Sequence, residues 1–153
     1  MQKLPHRYIV TAADRGSGDF ALTSDFLPPL TAAPPAEFDG PGDRWSPETL
    51  LVGAVAGCFV LTFRAVARAS NLSWTALDCS VDATLDRVDR ATEFTRFDLR
   101  VRLTVPPGAD AALARRAIEK AEHTCLITNS LKAPVTLTID VAVAAAELAG
   151  AGR

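Results

Sequence analysis

Residues 49–63 read TLLVGAVAGCFVLTF, a run without a charged side chain that is bounded by Glu48 and Arg64. The run is too short to span a bilayer comfortably and is better read as a buried core helix. Its start is well marked. Ser46 can cap, Pro47 suits the first helical position, Glu48 favours the positive end of the helix, and Trp45 with Leu50 can form a hydrophobic staple. These signals predict a helix over 47–69. A helix that is apolar on every side needs cover on every side, which one sheet does not provide. Gly53 and Gly57 each cost about 1 kcal/mol of helix propensity relative to alanine, and their spacing suits the close approach of another backbone. A second subunit is the expected cover; packing on a sheet within one chain is the plainer alternative.

Outward from this helix the chain alternates in period two. Leu77, Cys79, Val81, Ala83 and Leu85 share one face, with Asp78, Ser80, Asp82, Thr84 and Asp86 opposite. Phe97, Leu99, Val101, Leu103 and Val105 repeat the pattern, and the acidic outer face of the first strand against Arg100 and Arg102 of the second predicts antiparallel pairing. Pro106, Pro107 and Gly108 end that strand. Asp110 can cap a second helix in which Leu113, Ala117, Ala121 and Cys125 recur every four residues. After a turn near Asn129 and Ser130, Val135 to Val143 alternate as a last strand. The N-terminal part reads as short strands, His6 to Ala13 and Phe20 to Ser24, joined by Gly and Pro turns. The order is an α+β plan. A single domain is expected over 1–143, with a flexible Ala/Gly-rich tail over 144–153.

The 153 residues, 48% apolar and 22% charged, suffice for one ordinary core. A net charge of -2 offers no general attraction to phosphate backbones or anionic membranes, so neither nucleic acid nor membrane is an expected partner. Gly16 and Gly18 form a turn without the lysine and helix of a phosphate-binding loop. Met-Gln-Lys-Leu-Pro-His-Arg leads into a strand-like segment instead of an apolar signal core, and a cytoplasmic location is expected. Two histidines, His6 and His123, are too few to suggest a metal cage or a Ser-His-Asp relay. Three cysteines in a reducing compartment point to redox work or packing, not to a disulfide scaffold. If the chain is an enzyme, sulfur is its reagent. Cys58 and Cys125 are the candidates, and Cys79, inward on a strand, reads as packing. Free cysteine also packs well as a small hydrophobe, so a purely structural role is the alternative for both candidates. His123 stands two positions before Cys125, where helix side chains do not face each other, and reads as a surface residue. Arg115, Arg116, Glu119 and Lys120 read as the solvated face of the second helix.

Taken together, Ser46-Pro47-Glu48, Leu50-Leu51, Cys58-Phe59, Ala121-Glu122, Cys125 and Asn129-Ser130-Leu131, in this spacing and element order, resemble the osmotically inducible protein C and organic hydroperoxide resistance (OsmC/Ohr) family. The resemblance runs from about residue 8 to residue 143. It implies an intertwined homodimer with two long central helices wrapped by sheets and with reaction sites at the subunit boundary. It also implies a thiol peroxidase that reduces organic hydroperoxides, with Cys58 as the attacking cysteine, Cys125 as the resolving one, and a dithiol, of lipoyl type in one branch, as reductant. Such a cycle requires no metal, flavin or haem cofactor.

In the family an N-terminal arginine serves with the glutamate of the Pro-Glu motif, which is Glu48 here. Burial alone would blunt Cys58, so a positive group or hydrogen bonds must hold its thiolate. On one straight helix Glu48 and Cys58 are about 15 Å apart along the axis, so they share a site only through an irregular helix start or across two subunits. The chain departs from the family pattern at Glu37, where one branch carries its arginine; Arg7, Arg15 and Arg44 are the candidates that remain. It departs again at Leu126, where the best-described branches have proline, which suggests a less defined branch. Val55, Phe59 and Leu61 suit an apolar peroxide or an ordinary core equally. The alternative to a peroxidase is a non-catalytic dimer that binds an apolar small molecule or senses redox state.

Overall fold

A computed structural model describes residues 2–16 and 18–145; from residue 146 onward the expected tail lies outside the described residues. The chain falls into two compact units, Met1–Leu51 and Val52–Arg153.

In the first unit three short strands, β1 (Thr11–Ala13), β2 (Phe20–Thr23) and β3 (Leu30–Ala32), pair antiparallel in the order β1-β2-β3. The strand expected from His6 is shorter, beginning at Thr11. Thr11 already pairs with Thr23, the last residue of β2, so the preceding residues have no partner in this sheet. A hydrogen bond from the Ser24 hydroxyl to the Ile9 carbonyl, 2.9 Å, continues the contact. β3 was not expected; its three residues stand between Pro28-Pro29 and Pro34-Pro35, and the prolines mask so brief a ladder. A 3-10 turn, Ala36–Phe38, follows. Gly40 is obligatory there, because a Cβ on it would fall 1.7 Å from the Pro34 carbonyl oxygen. The Ala33 N–H then donates to the Trp45 carbonyl (2.9 Å).

Helix α1 (Pro47–Ala69) starts where the sequence places it. Ser46 Oγ accepts from the Thr49 N–H (3.2 Å), and Thr49 Oγ1 accepts from the Ser46 N–H (2.8 Å). This is a reciprocal cap in which threonine takes the place of the usual Glu or Gln. The helix continues past Arg64 and is longer than the uncharged run; at 23 residues, with an 18-residue stretch of mean hydropathy 2.1, it is long and apolar enough to cross a membrane by length and composition alone. Val55, Phe59, Phe63 and Ala67, four apart, are instead buried. Each of the large ones contributes about 1.5–3 kcal/mol on burial. Phe63 meets Trp74 edge-on, with ring centres 5.6 Å apart. Gly53, Ala54, Gly57 and Leu61 are exposed, and nothing in the chain lies within 4 Å of a Cβ built on Gly57.

The rest of the second unit comprises β4 (Ala76–Val88), β5 (Ala91–Val105), α2 (Ala111–His123) and β6 (Val135–Val143), with strand order β4-β5-β6. β4 and β5 form the expected antiparallel hairpin, turned at Asp89 (φ 55°), with Asp78 opposite Arg102 and Cys79 opposite Val101. β6 runs parallel to β5, so β5-α2-β6 is a crossover with α2 packed on both strands. Phe97, Leu99, Val101, Leu103 and Val105 of β5, buried throughout, form the centre of this core together with Ala114, Ala117, Ile118 and Ala121 of α2. The outer face carries surface pairs such as Arg102–Asp140 (3.4 Å). Asp110 caps α2 by accepting from the N–H groups of Ala112 and Leu113 (2.8 and 3.0 Å), which holds its carboxyl below the usual range.

Candidate functional site

Cys58 lies in the middle of α1 next to the buried Phe59 and is itself half-buried. One helical turn further on, Thr62 presents its hydroxyl to the same side, with Sγ and Oγ1 4.0 Å apart. Cys125 follows α2 immediately after the capping residue Thr124 and is fully buried. Its four-residue spacing from Ala117 and Ala121 thus continues the buried face just past the helix end.

The turn that holds Cys125 is closed by its own side chains. The Cys125 N–H donates to the Glu122 carbonyl (3.1 Å) and the Asn129 N–H donates to the Cys125 carbonyl (3.1 Å). Asn129 Nδ2 donates to the His123 carbonyl (3.2 Å), the Ser130 hydroxyl to the Leu126 carbonyl (2.9 Å) and the Thr128 hydroxyl to the Cys125 carbonyl (3.2 Å). A 3-10 turn, Thr128–Ser130, ends it. Asn129 and Ser130 therefore serve as fasteners of the peptide that carries the second sulfur.

The structure brings Cys58 and Cys125 together as free thiols that act on each other. Their ionisation is divided between them. Burial pushes the Cys58 thiol up, but the backbone N–H of Ile127, the Cys125 thiol, the Thr62 hydroxyl and the backbone N–H of Leu126 outweigh it and hold Cys58 below its ordinary value. Cys125 is raised, first by burial and then by its bond to Cys58 and the charge there, against the N–H and hydroxyl of Thr128. Of the two thiols, Cys58 is thus the one whose ionisation is eased and Cys125 the one whose ionisation is opposed.

Glu48 stands in the first turn of α1, within the first unit, and its buried Oε2 has no hydrogen-bond partner among the described residues. Of the arginine candidates, Arg44 is engaged by Asp19 (3.0 Å) and Asp43 (2.9 Å), and the Asp19 bond leads in raising its pKa. Val55 and Phe59 are fully buried core residues, while Leu61 is exposed. Cys79 is half-buried on the inward face of β4; burial, with a contribution from Cys125, pushes it up to about 11. His123 is exposed, as expected. Sequence reading missed Thr62 and the N–H groups of Leu126 and Ile127. Thr62 had a signal, as a hydroxyl one turn after a cysteine in an apolar run; the backbone groups had none beyond the absence of proline.

Comparison with known proteins decides the family. Residues 40–140 match the family described as OsmC-like protein. The chain belongs to that family. Among the relatives of this OsmC-like protein, peroxiredoxin OsmC of Escherichia coli is 30% identical over 123 residues, covering 80% of this chain and 85% of the relative. The organic hydroperoxide resistance protein of Xanthomonas axonopodis pv. citri is 26% identical over 142 residues, covering 90% and 98%. The crystal structure of an OsmC-like protein from Mycoplasma pneumoniae superposes with a TM-score of 0.77 at 16% identity, over 91% of this chain and 99% of that one, a likeness of fold.

Proposed function

We propose that this OsmC-like protein is a thiol-dependent peroxidase that reduces organic hydroperoxides to alcohols. The observation that carries the reading is the pair of free thiols at one site, with Cys58 held below and Cys125 raised above the ordinary cysteine value. The names of the relatives, a peroxiredoxin and an organic hydroperoxide resistance protein, support the same class of activity.

In this reading the Cys58 thiolate attacks the outer peroxide oxygen and the O–O bond breaks. The alkoxide leaves and takes up a proton as alcohol, and Cys58 becomes a sulfenic acid. The Cys125 sulfur then attacks the Cys58 sulfur, with loss of water and formation of a Cys58–Cys125 disulfide. A dithiol, of lipoyl type by the family resemblance, reduces that disulfide by two exchange steps and leaves as its own cyclic disulfide. Glu48 is assigned to the site through the resemblance, with its unpartnered buried oxygen as support. The working unit in this reading is a homodimer, and the exposed apolar side of α1 around Gly53, Gly57 and Leu61 supports it.

One equivalent of tert-butyl hydroperoxide should remove two hydrogens per chain and yield a Cys58–Cys125 peptide by mass spectrometry. Dihydrolipoamide should then sustain turnover. Oxidation without turnover would favour the redox sensor; no Cys58–Cys125 link would remove the peroxidase cycle. Leu61→Glu should shift the protein from dimer to monomer in sedimentation velocity.

A further inference from the structure

Cys125 lies one residue beyond Thr124, which caps α2, so the helical ladder no longer fixes its backbone. Yet it is fully buried, while its neighbours Thr124 and Leu126 are exposed. The bonds of the turn therefore have to hold it in place. Asn129 bonds on both sides of the cysteine. Its Nδ2 donates to the carbonyl of His123, the last residue of α2, at 3.2 Å, and its backbone N–H donates to the Cys125 carbonyl at 3.1 Å. The end of the helix leaves the His123 carbonyl open, and among the described residues no backbone N–H of the turn reaches it. The Thr128 and Ser130 hydroxyls tie the carbonyls of Cys125 and Leu126, inside the turn. Of these three side chains only that of Asn129 reaches back to α2. Asn129 is itself exposed, so its side chain is not part of the core.

We infer that Asn129 is a positioning residue for closure of the Cys58–Cys125 disulfide, its side chain clasping the turn to the end of α2 so that Cys125 is held ready. The inference rests on the proposed peroxidase cycle and deepens it. Two reactions compete for the Cys58 sulfenic acid. In one, the Cys125 sulfur attacks the Cys58 sulfur, the S–O bond breaks, an S–S bond forms, and the hydroxyl leaves with the thiol proton as water. In the other, a second hydroperoxide passes its outer oxygen to the Cys58 sulfur, which gives up two electrons and becomes a sulfinic acid, while the peroxide leaves as alcohol. A dithiol reverses the first outcome and not the second. Only the first depends on how the turn presents Cys125, so loss of the clasp shifts the partition towards sulfinic acid.

Asn129→Asp removes the Nδ2 donor at constant shape and keeps the backbone N–H; Asn129→Ala does so without adding charge. With excess tert-butyl hydroperoxide, the ratio of Cys58 sulfinic acid to Cys58–Cys125 disulfide, read by mass spectrometry, should rise about two- to tenfold in both, the scale of one hydrogen bond. The pH profile of Cys58 alkylation by iodoacetamide should stay that of the parent. A bond that served stability alone would lower the melting temperature and leave the ratio unchanged. Asn129→Gln, with an amide on a longer arm, should fall between the parent and Asn129→Ala; should it alone fold, its ratio should still exceed the parent's. A second oxidant separates the clasp from the peroxidase reading. Diamide takes two electrons and two protons from the thiol pair and joins the sulfurs without peroxide; Asn129→Asp and Asn129→Ala should close the link about two- to tenfold more slowly than the parent. If the parent closes it with diamide and not with peroxide, the peroxidase reading falls and the diamide rates decide the clasp. Folded variants with the parent's ratio and diamide rate would overturn it, as would a parent that closes the link with neither oxidant.

Discussion

The middle of α1 and the turn after α2 each bring one sulfur to the site, and they treat it differently. Cys58 is half-buried on a helix, where its own backbone N–H is committed to the helical ladder, so it takes its donors from elsewhere: Thr62 one turn on and the amides of the facing turn. Cys125 is fully buried in an irregular turn whose carbonyls are tied by Asn129, Ser130 and Thr128. For Cys58 the donors outweigh burial; for Cys125 burial and the neighbouring charge prevail. In the proposed reading, burial alone does not decide which thiol of the pair attacks. The supply of N–H and O–H donors weighs against it.

The sharpest way to break the comparison is to remove each sulfur in turn. Cys58→Ser should abolish steady-state reduction of tert-butyl hydroperoxide, because an alcohol in its place is not ionised near neutral pH. Cys125→Ser should still consume one equivalent of peroxide, hold a sulfenic acid that dimedone traps, and lose turnover with the dithiol. Equal phenotypes for the two variants would erase the division of labour. A milder test is Thr62→Val, which keeps shape and removes one hydroxyl donor. Alkylation of Cys58 near neutral pH should slow by about two- to tenfold, with little loss of stability.

The smallest effect concerns Cys79 and is one of stability. Its folded thiol is raised from 9.0 to about 11, chiefly by burial. The unfolded chain therefore loses this proton first as pH climbs. The contribution is fully present below about 9 and is lost as pH rises towards 11. Urea midpoints should fall between about pH 8 and about pH 10.5, and Cys79→Ala should flatten that decline while leaving peroxide chemistry in place.

Much of the fold was legible in the chain because its signals are local. The start of α1 follows from Ser46, Pro47 and Glu48, and the β4–β5 hairpin from strict alternation with complementary outer charges. The parallel course of β6 was not, since Val135 to Val143 alternate in the same way whichever direction the strand runs. The shortening of β1 was equally hidden: His6 to Val10 have strand-like residues, but the length of β2 limits the ladder. The two cysteines were singled out by residue type and by the family resemblance, which also assigns Glu48. The amides of Leu126 and Ile127 escaped because every residue except proline carries one, and only the path of the chain makes a donor available.

Leu126 is 75% exposed, while Cys125, its neighbour in the chain, is wholly buried. The exposed side of the turn thus begins one residue after the inner thiol. In the proposed cycle a small dithiol would reach the disulfide from the side of this turn. On that reading the reductive half of the cycle would be sensitive to bulk at position 126, and the chain would choose among reductants by size.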